Sequence, residues 1–313
     1  MPTGRQGSIR LFRLQGIEVF LHWSWFLVAA YMIRSQAGEY SSISWNVLEY
    51  LALFLIVLTH EFGHALACRS VGGNADRIVL WPLGGVAYVD PPPRPGATLW
   101  SIAAGPLVNV ALIPILWLLG AASFHGNWAD TMPNLARLIA NVYFINKVLL
   151  IFNILPIFPL DGGQILRALL WYALGRAKSL LVATVLGFVG VAAFFFLAFR
   201  IRSTWFVVLA IFMLWNCWAG LKHAMALLKM AKIPRREGFS CPTCHSSPPL
   251  GEFWGCSNCK HRFDTFASGG VCPYCGAQFM TTRCMDCGRA HPVGEWAGQS
   301  PVGTSTSPLL TQK

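Results

Sequence analysis

The chain has 313 residues, 55% of them hydrophobic and 12% charged, with a mean hydropathy of +0.51. Soluble domains carry about 25% charged residues, so an ordinary water-soluble globular protein is excluded. The formal net charge of +11 does not signal a nucleic-acid partner, because Lys and Arg gather in short runs at the ends of apolar segments, a pattern that membrane topology alone produces.

Apolar stretches near 18–34, 46–68, 97–122, 136–155, 178–199 and 203–228 approach the roughly 20 residues a spanning helix needs. They predict an α-helical polytopic membrane protein with about six transmembrane helices. Arg5, Arg10 and Arg13 ahead of the first stretch, with Ser35-Gln36-Ala37 behind it, make a passable signal-peptide pattern, but a retained first span suits the charge distribution better. An even number of spans puts both termini on one side of the bilayer. Fourteen Lys and Arg flank that side, against four (Arg34, Arg137, Arg200 and Arg202) on the other. The expectation is an integral, multi-pass protein of the cell membrane with both termini cytosolic.

Two connections carry more than loop composition. Residues 8–20 alternate irregularly and fit a strand or an interfacial helix. Residues 77–90 read as a short membrane-associated β-hairpin with Gly84-Gly85 as its two-residue turn. Such backbone can enter a membrane only where protein buries it or water reaches it. The fourth apolar stretch runs into Pro156 and Pro159 and resumes over 164–174, so a broken helix is expected. From about 233 aliphatic runs vanish and Cys, Gly, Pro and Ser dominate. The predicted organisation is a membrane domain at 1–232, small Cys-rich units at 238–262 and 270–292, and a disordered tail at 298–313.

His60-Glu61-Phe62-Gly63-His64 matches H-E-x-x-H near the end of the second stretch. On a helix, residues i and i+4 share a face, so both imidazoles can reach one ion, with Glu61 placed to take the proton of an attacking water. Among 13 acidic residues only Glu61 and Asp161 lie well inside apolar sequence, and Glu49 lies near a span end. Ionisable groups at such depth are expensive and mark function. A catalytic zinc takes three protein ligands and leaves one position open. Asp161 is the remaining acid at comparable depth, and it follows the Pro156/Pro159 break. The competing reading of the His-Glu-His turn is a polar cluster hydrogen-bonded between helices.

His60-Glu61-x-x-His64, Gly105-Pro106-Leu107-x-Asn109 and Asn153-x-x-Pro156-x-x-Pro159-Leu160-Asp161-Gly162 together resemble the site-2 protease family of intramembrane zinc metalloproteases, in order and spacing over residues 8–230. The resemblance implies His60, His64 and Asp161 as zinc ligands and Glu61 as the catalytic acid/base. It further implies that Asn153 holds substrate or the developing oxyanion, and that the substrate is a transmembrane segment of another protein in the bilayer. Gly105 reads as helix packing and Asn109 as an interhelical hydrogen bond, while His22 and Lys147 read as interfacial or paired groups. Connections at 69–96 and 123–135 are too short for the PDZ domain that some relatives carry, and the tail is Cys-rich in place of CBS modules.

Four C-x-x-C pairs, Cys241/Cys244, Cys256/Cys259, Cys272/Cys275 and Cys284/Cys287, signal structural metal in a reducing compartment. Taken consecutively, they predict two four-cysteine zinc ribbons, Cys241, Cys244, Cys256 and Cys259 and then Cys272, Cys275, Cys284 and Cys287; a cross-braced set uses the same residues. The cofactor expectation is thus one catalytic and two structural Zn2+. With thiolates and zinc included, the tail from 238 carries a net charge of roughly −3, which favours a cytosolic protein partner over nucleic acid. Two functions follow from the sequence: an intramembrane zinc endopeptidase, or a catalytically silent membrane adaptor that recruits protein partners through its tail.

Overall fold

The computed structural model describes residues 7–296 apart from 37, 82 and 83 and the side chain of residue 205; the tail expected at 298–313 lies outside the described residues. The chain divides into two compact units, Met1–Leu227 and Leu228–Lys313.

The first unit opens with two antiparallel strands, β1 (Ser8–Leu14) and β2 (Ile17–His22), so residues 8–20 are strand and not interfacial helix. A short helix α1 (Ser24–Ser35) leads to α2 (Ile43–Ser70), then to β3 (Asn74–Trp81) and β4 (Gly84–Asp90). The four strands form one sheet in the order β1-β2-β3-β4, with β2 and β3 parallel and the other pairs antiparallel. Ile17, Val19 and Leu21 alternate inward from β2 and pack with Ile78 and Leu80 of β3 against Ala65 and Cys68 of α2. The sheet is thereby fixed to the helix that carries His60 and His64.

Two expectations are corrected here. Among the described residues five helices, not six, are long and apolar enough to cross a membrane. The stretch expected to span at 18–34 is part strand, and α1 has only 12 residues, about 18 Å against a hydrocarbon core of about 30 Å. Strand and helix together nevertheless run the length of α2. The Gln15 carbonyl accepts from the Arg69 guanidinium at the C-terminal end of α2, and the Gln36 carbonyl accepts from Asn46 Nδ2 at 2.9 Å near its N-terminal end. The backbone of β2 is paired on both sides, the condition under which non-helical chain is tolerated at membrane depth. The hairpin turn is also displaced. Trp81 pairs with Gly84 and Leu80 with Gly85, so the two-residue connection is 82–83 and the glycines belong to β4.

After β4 come α3 (Pro95–His125), a single turn α4 (Trp128–Thr131), α5 (Pro133–Ile154), α6 (Asp161–Ile201) and α7 (Thr204–Ala231). Pro95 and Pro133 sit at helix starts, where a missing N–H costs nothing. The break expected at Pro156 and Pro159 separates α5 from α6. Ile157 and Phe158 in the break pack with Phe194 of α6 and Met213 and Cys217 of α7. The helix α6 is itself kinked at Gly175, whose φ of 76° lies in the left-handed region that favours glycine.

In the second unit two small hairpins, β5 (Trp254–Gly255) with β6 (Arg262–Phe263) and β7 (Thr281–Arg283) with β8 (Ala290–Pro292), each adjoin a Cys-x-x-Cys turn. The consecutive pairing of cysteines is overturned. The structure groups Cys241, Cys244, Cys284 and Cys287 as an outer set and Cys256, Cys259, Cys272 and Cys275 as an inner one. Units at 238–262 and 270–292 are therefore not self-contained, because the inner set lies within the loop of the outer. A shared aromatic core explains the arrangement. Trp254, Phe266 and Trp296 pack together with Cys241 and Cys284, Trp254 Nε1 donates to the Arg283 carbonyl at 3.3 Å, and Ser240 N donates to the Trp296 carbonyl at 2.8 Å. Closing the longer loop, 245–283, costs only about 1 kcal/mol more than closing 245–255, which burial of those rings outweighs.

Candidate metal centres

His60 and His64 project from one face of α2, and their Nε2 atoms lie 3.1 Å apart. Asp161, in the first turn of α6, places Oδ2 3.1 Å from His60 Nε2 and 3.5 Å from His64 Nε2. Ligand atoms about 2.0–2.1 Å from a tetrahedral ion are about 3.3–3.4 Å apart, so this triangle fits a zinc with three protein ligands.

The far side of each imidazole supports that fit. His60 Nδ1 is 2.5 Å from Asn109 Oδ1, and His64 Nδ1 is 2.9 Å from the Ser101 carbonyl. Both partners are acceptors, so each Nδ1 donates its hydrogen and each Nε2 keeps a lone pair for the centre. Asn109 is oriented in turn: its Nδ2 donates to Asn146 Oδ1 at 2.8 Å, and Asn146 Nδ2 donates to the Asn109 carbonyl at 3.0 Å. Asn109 is 1% and Asn146 0% exposed, and this buried amide pair was not legible as part of the site from sequence. The Gly105-Pro106-x-x-Asn109 segment was the only signal toward it, and Asn146 had none. Gly105 does more than pack helices, since a Cβ there would overlap both imidazole rings.

Asp161 reaches the two histidines because the chain folds back on itself just before it. A Cβ on Gly162 would meet the Leu155 carbonyl oxygen at 2.5 Å, and one on Gly163 the Ile157 carbonyl oxygen at 2.7 Å. The paired glycines thus make room for the break and hold Asp161 against α2.

Glu61 is buried beside its neighbours; His60, Glu61 and His64 are 5, 6 and 6% exposed. Its Oε2 accepts a hydrogen bond from the Ala87 backbone N–H of β4 at 2.9 Å. Asn153 lies half-buried in the last turn of α5, and among the described residues no hydrogen bond joins it to the three ligands or to Glu61. Outside the centre, His22 bonds Ser24 and stacks on Trp81, Lys147 lies over the Tyr143 ring, and Glu49 is held by Tyr40 and Asn141.

In the second unit the sulfurs of Cys241 and Cys287, and of Cys244 and Cys284, are 3.7 Å apart. In the inner set Cys256 and Cys275 are 3.6 Å apart and Cys259 and Cys272 3.7 Å. Four thiolates about 2.3 Å from one zinc lie about 3.8 Å from each other, whereas a disulfide would be about 2.05 Å long. Both sets fit a tetrahedral metal. Backbone N–H groups of Cys259 and Asn258 directed at its sulfur pull the Cys256 thiol down, while the neighbouring thiols push that of Cys259 up.

Fold and site together define a polytopic helical membrane protein with a buried His-His-Asp cluster whose ligand atoms converge as a metal would require. Residues 49–134 and 128–197 match the model of peptidase family M50. A zinc metalloprotease of Methanocaldococcus jannaschii is 37% identical over 180 residues, 58% of this chain and 50% of that protein. Stage IV sporulation protein FB of Bacillus subtilis is 35% identical over 119 residues, 37% of this chain and 38% of that one. The solved site-2 protease from Methanocaldococcus jannaschii superposes with a TM-score of 0.50 at 28% identity, covering 68% of this chain and 95% of that chain. Over residues 49–197 the membrane unit is thus similar to peptidase family M50, and its fold is similar to that of a solved site-2 protease. The chain spans about half to three fifths of the length of the curated relatives it matches first.

Proposed function

We propose that the protein is an intramembrane zinc endopeptidase that cleaves a peptide bond in or near a transmembrane segment of another membrane protein, with one catalytic and two structural zinc ions per chain. The observation that carries this reading is the convergence of His60, His64 and Asp161 beside a buried Glu61. A zinc ion held there would polarise the scissile carbonyl and acidify the attacking water. Glu61 takes the water's proton and passes it to the leaving amine. Asn153 helps hold substrate or the developing oxyanion, as the resemblance to the family implies. A helical substrate shields its carbonyls with its own hydrogen bonds, so it must enter extended; the outer edge of β4, the last strand of the sheet, offers it backbone partners beside Glu61.

Both termini and the Cys-rich tail lie in the cytosol in this reading. The excess of basic residues on that side supports it, and so does the strand-plus-helix passage over 15–36, which restores an even number of crossings to a chain with five long apolar helices. Arg69 follows His64 closely, which places cleavage towards the cytosolic part of the substrate's span. The tail docks a protein partner.

Glu61→Gln decides the function. Purified protein is expected to keep three zinc per chain while cleavage of a co-expressed, tagged single-span reporter stops. Continued cleavage would remove Glu61 from the mechanism. A silent adaptor would instead hold two zinc, unchanged by His60→Ala.

A further inference from the structure

Glu61 lies on α2, yet its carboxylate is held from another element. Oε2 accepts from the Ala87 N–H at 2.9 Å, so this donor of β4 is spent on Glu61 and not on the ladder with β3. Two residues earlier on the same strand, a Cβ built on Gly85 would overlap Cγ, Cδ and Oε1 of Glu61. Gly85 does not have the positive φ that requires glycine; Gly84, at +135°, does. The three atoms nearest to such a Cβ all belong to Glu61, so occupied space and not backbone conformation excludes a side chain at 85. Residues i and i+2 of a strand point their backbone groups and side chains alike, so Gly85 and Ala87 present one continuous surface to the carboxylate.

We propose that β4 is a positioning strand for the Glu61 carboxylate, the Ala87 N–H fixing one oxygen and the bare Gly85 backbone leaving room for the rest. Helix geometry alone leaves a glutamate three side-chain torsions. The strand removes that freedom without adding another titratable group. Because the donor points away from β3, it lies on the edge that an extended substrate would pair with, so the base and the peptide it serves are registered on one strand. A glutamate set in this way needs no search for its orientation when substrate arrives.

The inference rests on the protease reading, and the test separates the two. Full-length protein in detergent is given a quenched-fluorescent single-span peptide. Ala87→Pro deletes the N–H on an outer strand, where proline is tolerated. Gly85→Ala inserts a methyl group against the carboxylate, and Ala87→Gly keeps the N–H. Positioning predicts that Ala87→Pro and Gly85→Ala lower kcat by about 10- to 100-fold with KM changed less than about threefold and zinc content intact, while Ala87→Gly stays within about threefold of wild type. A second readout does not need turnover: Glu61→Ala should speed amide hydrogen exchange over residues 84–90, with the change largest at Ala87. Wild-type kcat in both Ala87→Pro and Gly85→Ala, or unchanged exchange in Glu61→Ala, overturns the positioning role. If Glu61→Gln is inactive in that case, the protease reading stands; if Glu61→Gln cleaves, that reading fails first.

Discussion

At the scale of single residues, the converging histidines are one end of a longer buried polar chain. His60 is turned by Asn109, which is turned by Asn146, all buried between α2, α3 and α5. Replacing Asn109 with Leu strands the His60 Nδ1 hydrogen and the Asn146 amide in an apolar setting. Outer partners of metal ligands typically govern affinity by 10- to 100-fold, so zinc affinity at this centre should fall by about that factor, read by chelator competition, while Asn109→Asp keeps an acceptor and most of the affinity. His60, Glu61, His64 and Asp161 were legible in the sequence because helical spacing and the cost of charge in apolar sequence both single them out. Asn146 was not, since nothing in the surrounding residues distinguishes a buried asparagine that orients another from one that merely pairs helices. Gly85 was misread as a turn glycine because a glycine needed for close approach and one needed for φ look alike in sequence.

At the scale of elements, the site depends on how closely backbones approach. The stretch between α5 and α6 folds over Gly162 and Gly163, and that contact brings an aspartate to two histidines about a hundred residues earlier. Gly162→Ala forces its methyl group onto the Ile154 and Leu155 carbonyls. Overpacking of this kind costs about 1–3 kcal/mol, so thermal unfolding should shift down by several degrees and zinc should be lost at lower chelator concentration than in wild type. The broken helix and five of the expected spans could be read from hydropathy and proline placement. The first span could not. Hydropathy records that residues 17–35 are apolar but not that the first six of them pair with β1 and β3, since the β3 partner lies beyond α2 in the chain.

At the scale of the whole chain, the first compact unit carries one candidate metal set and the second carries two, and the cysteine pairing of the second is set by its aromatic core and not by proximity in sequence. A double substitution tests the nesting. Cys241→Ser with Cys284→Ser breaks one site if the sets are nested and both if they are consecutive, so one tail zinc should survive in the full-length protein, measured by metal analysis. Loss of both would restore the consecutive arrangement. Adjacency misled the sequence reading because loop closure grows only slowly in cost with length, so the shorter loop has little advantage over a longer one that buries tryptophan.

In the proposed topology, where the segment over 15–36 crosses the bilayer, its strand has a consequence for how this chain is made. One of the two partners that satisfy the backbone of β2 is β3, which leaves the ribosome more than fifty residues later. Until then its N–H and C=O groups on that side have no protein partner and cannot rest in hydrocarbon. The amino-terminal segment must therefore wait at the aqueous surface while α2 inserts ahead of it, so the order of membrane entry departs from the order of translation.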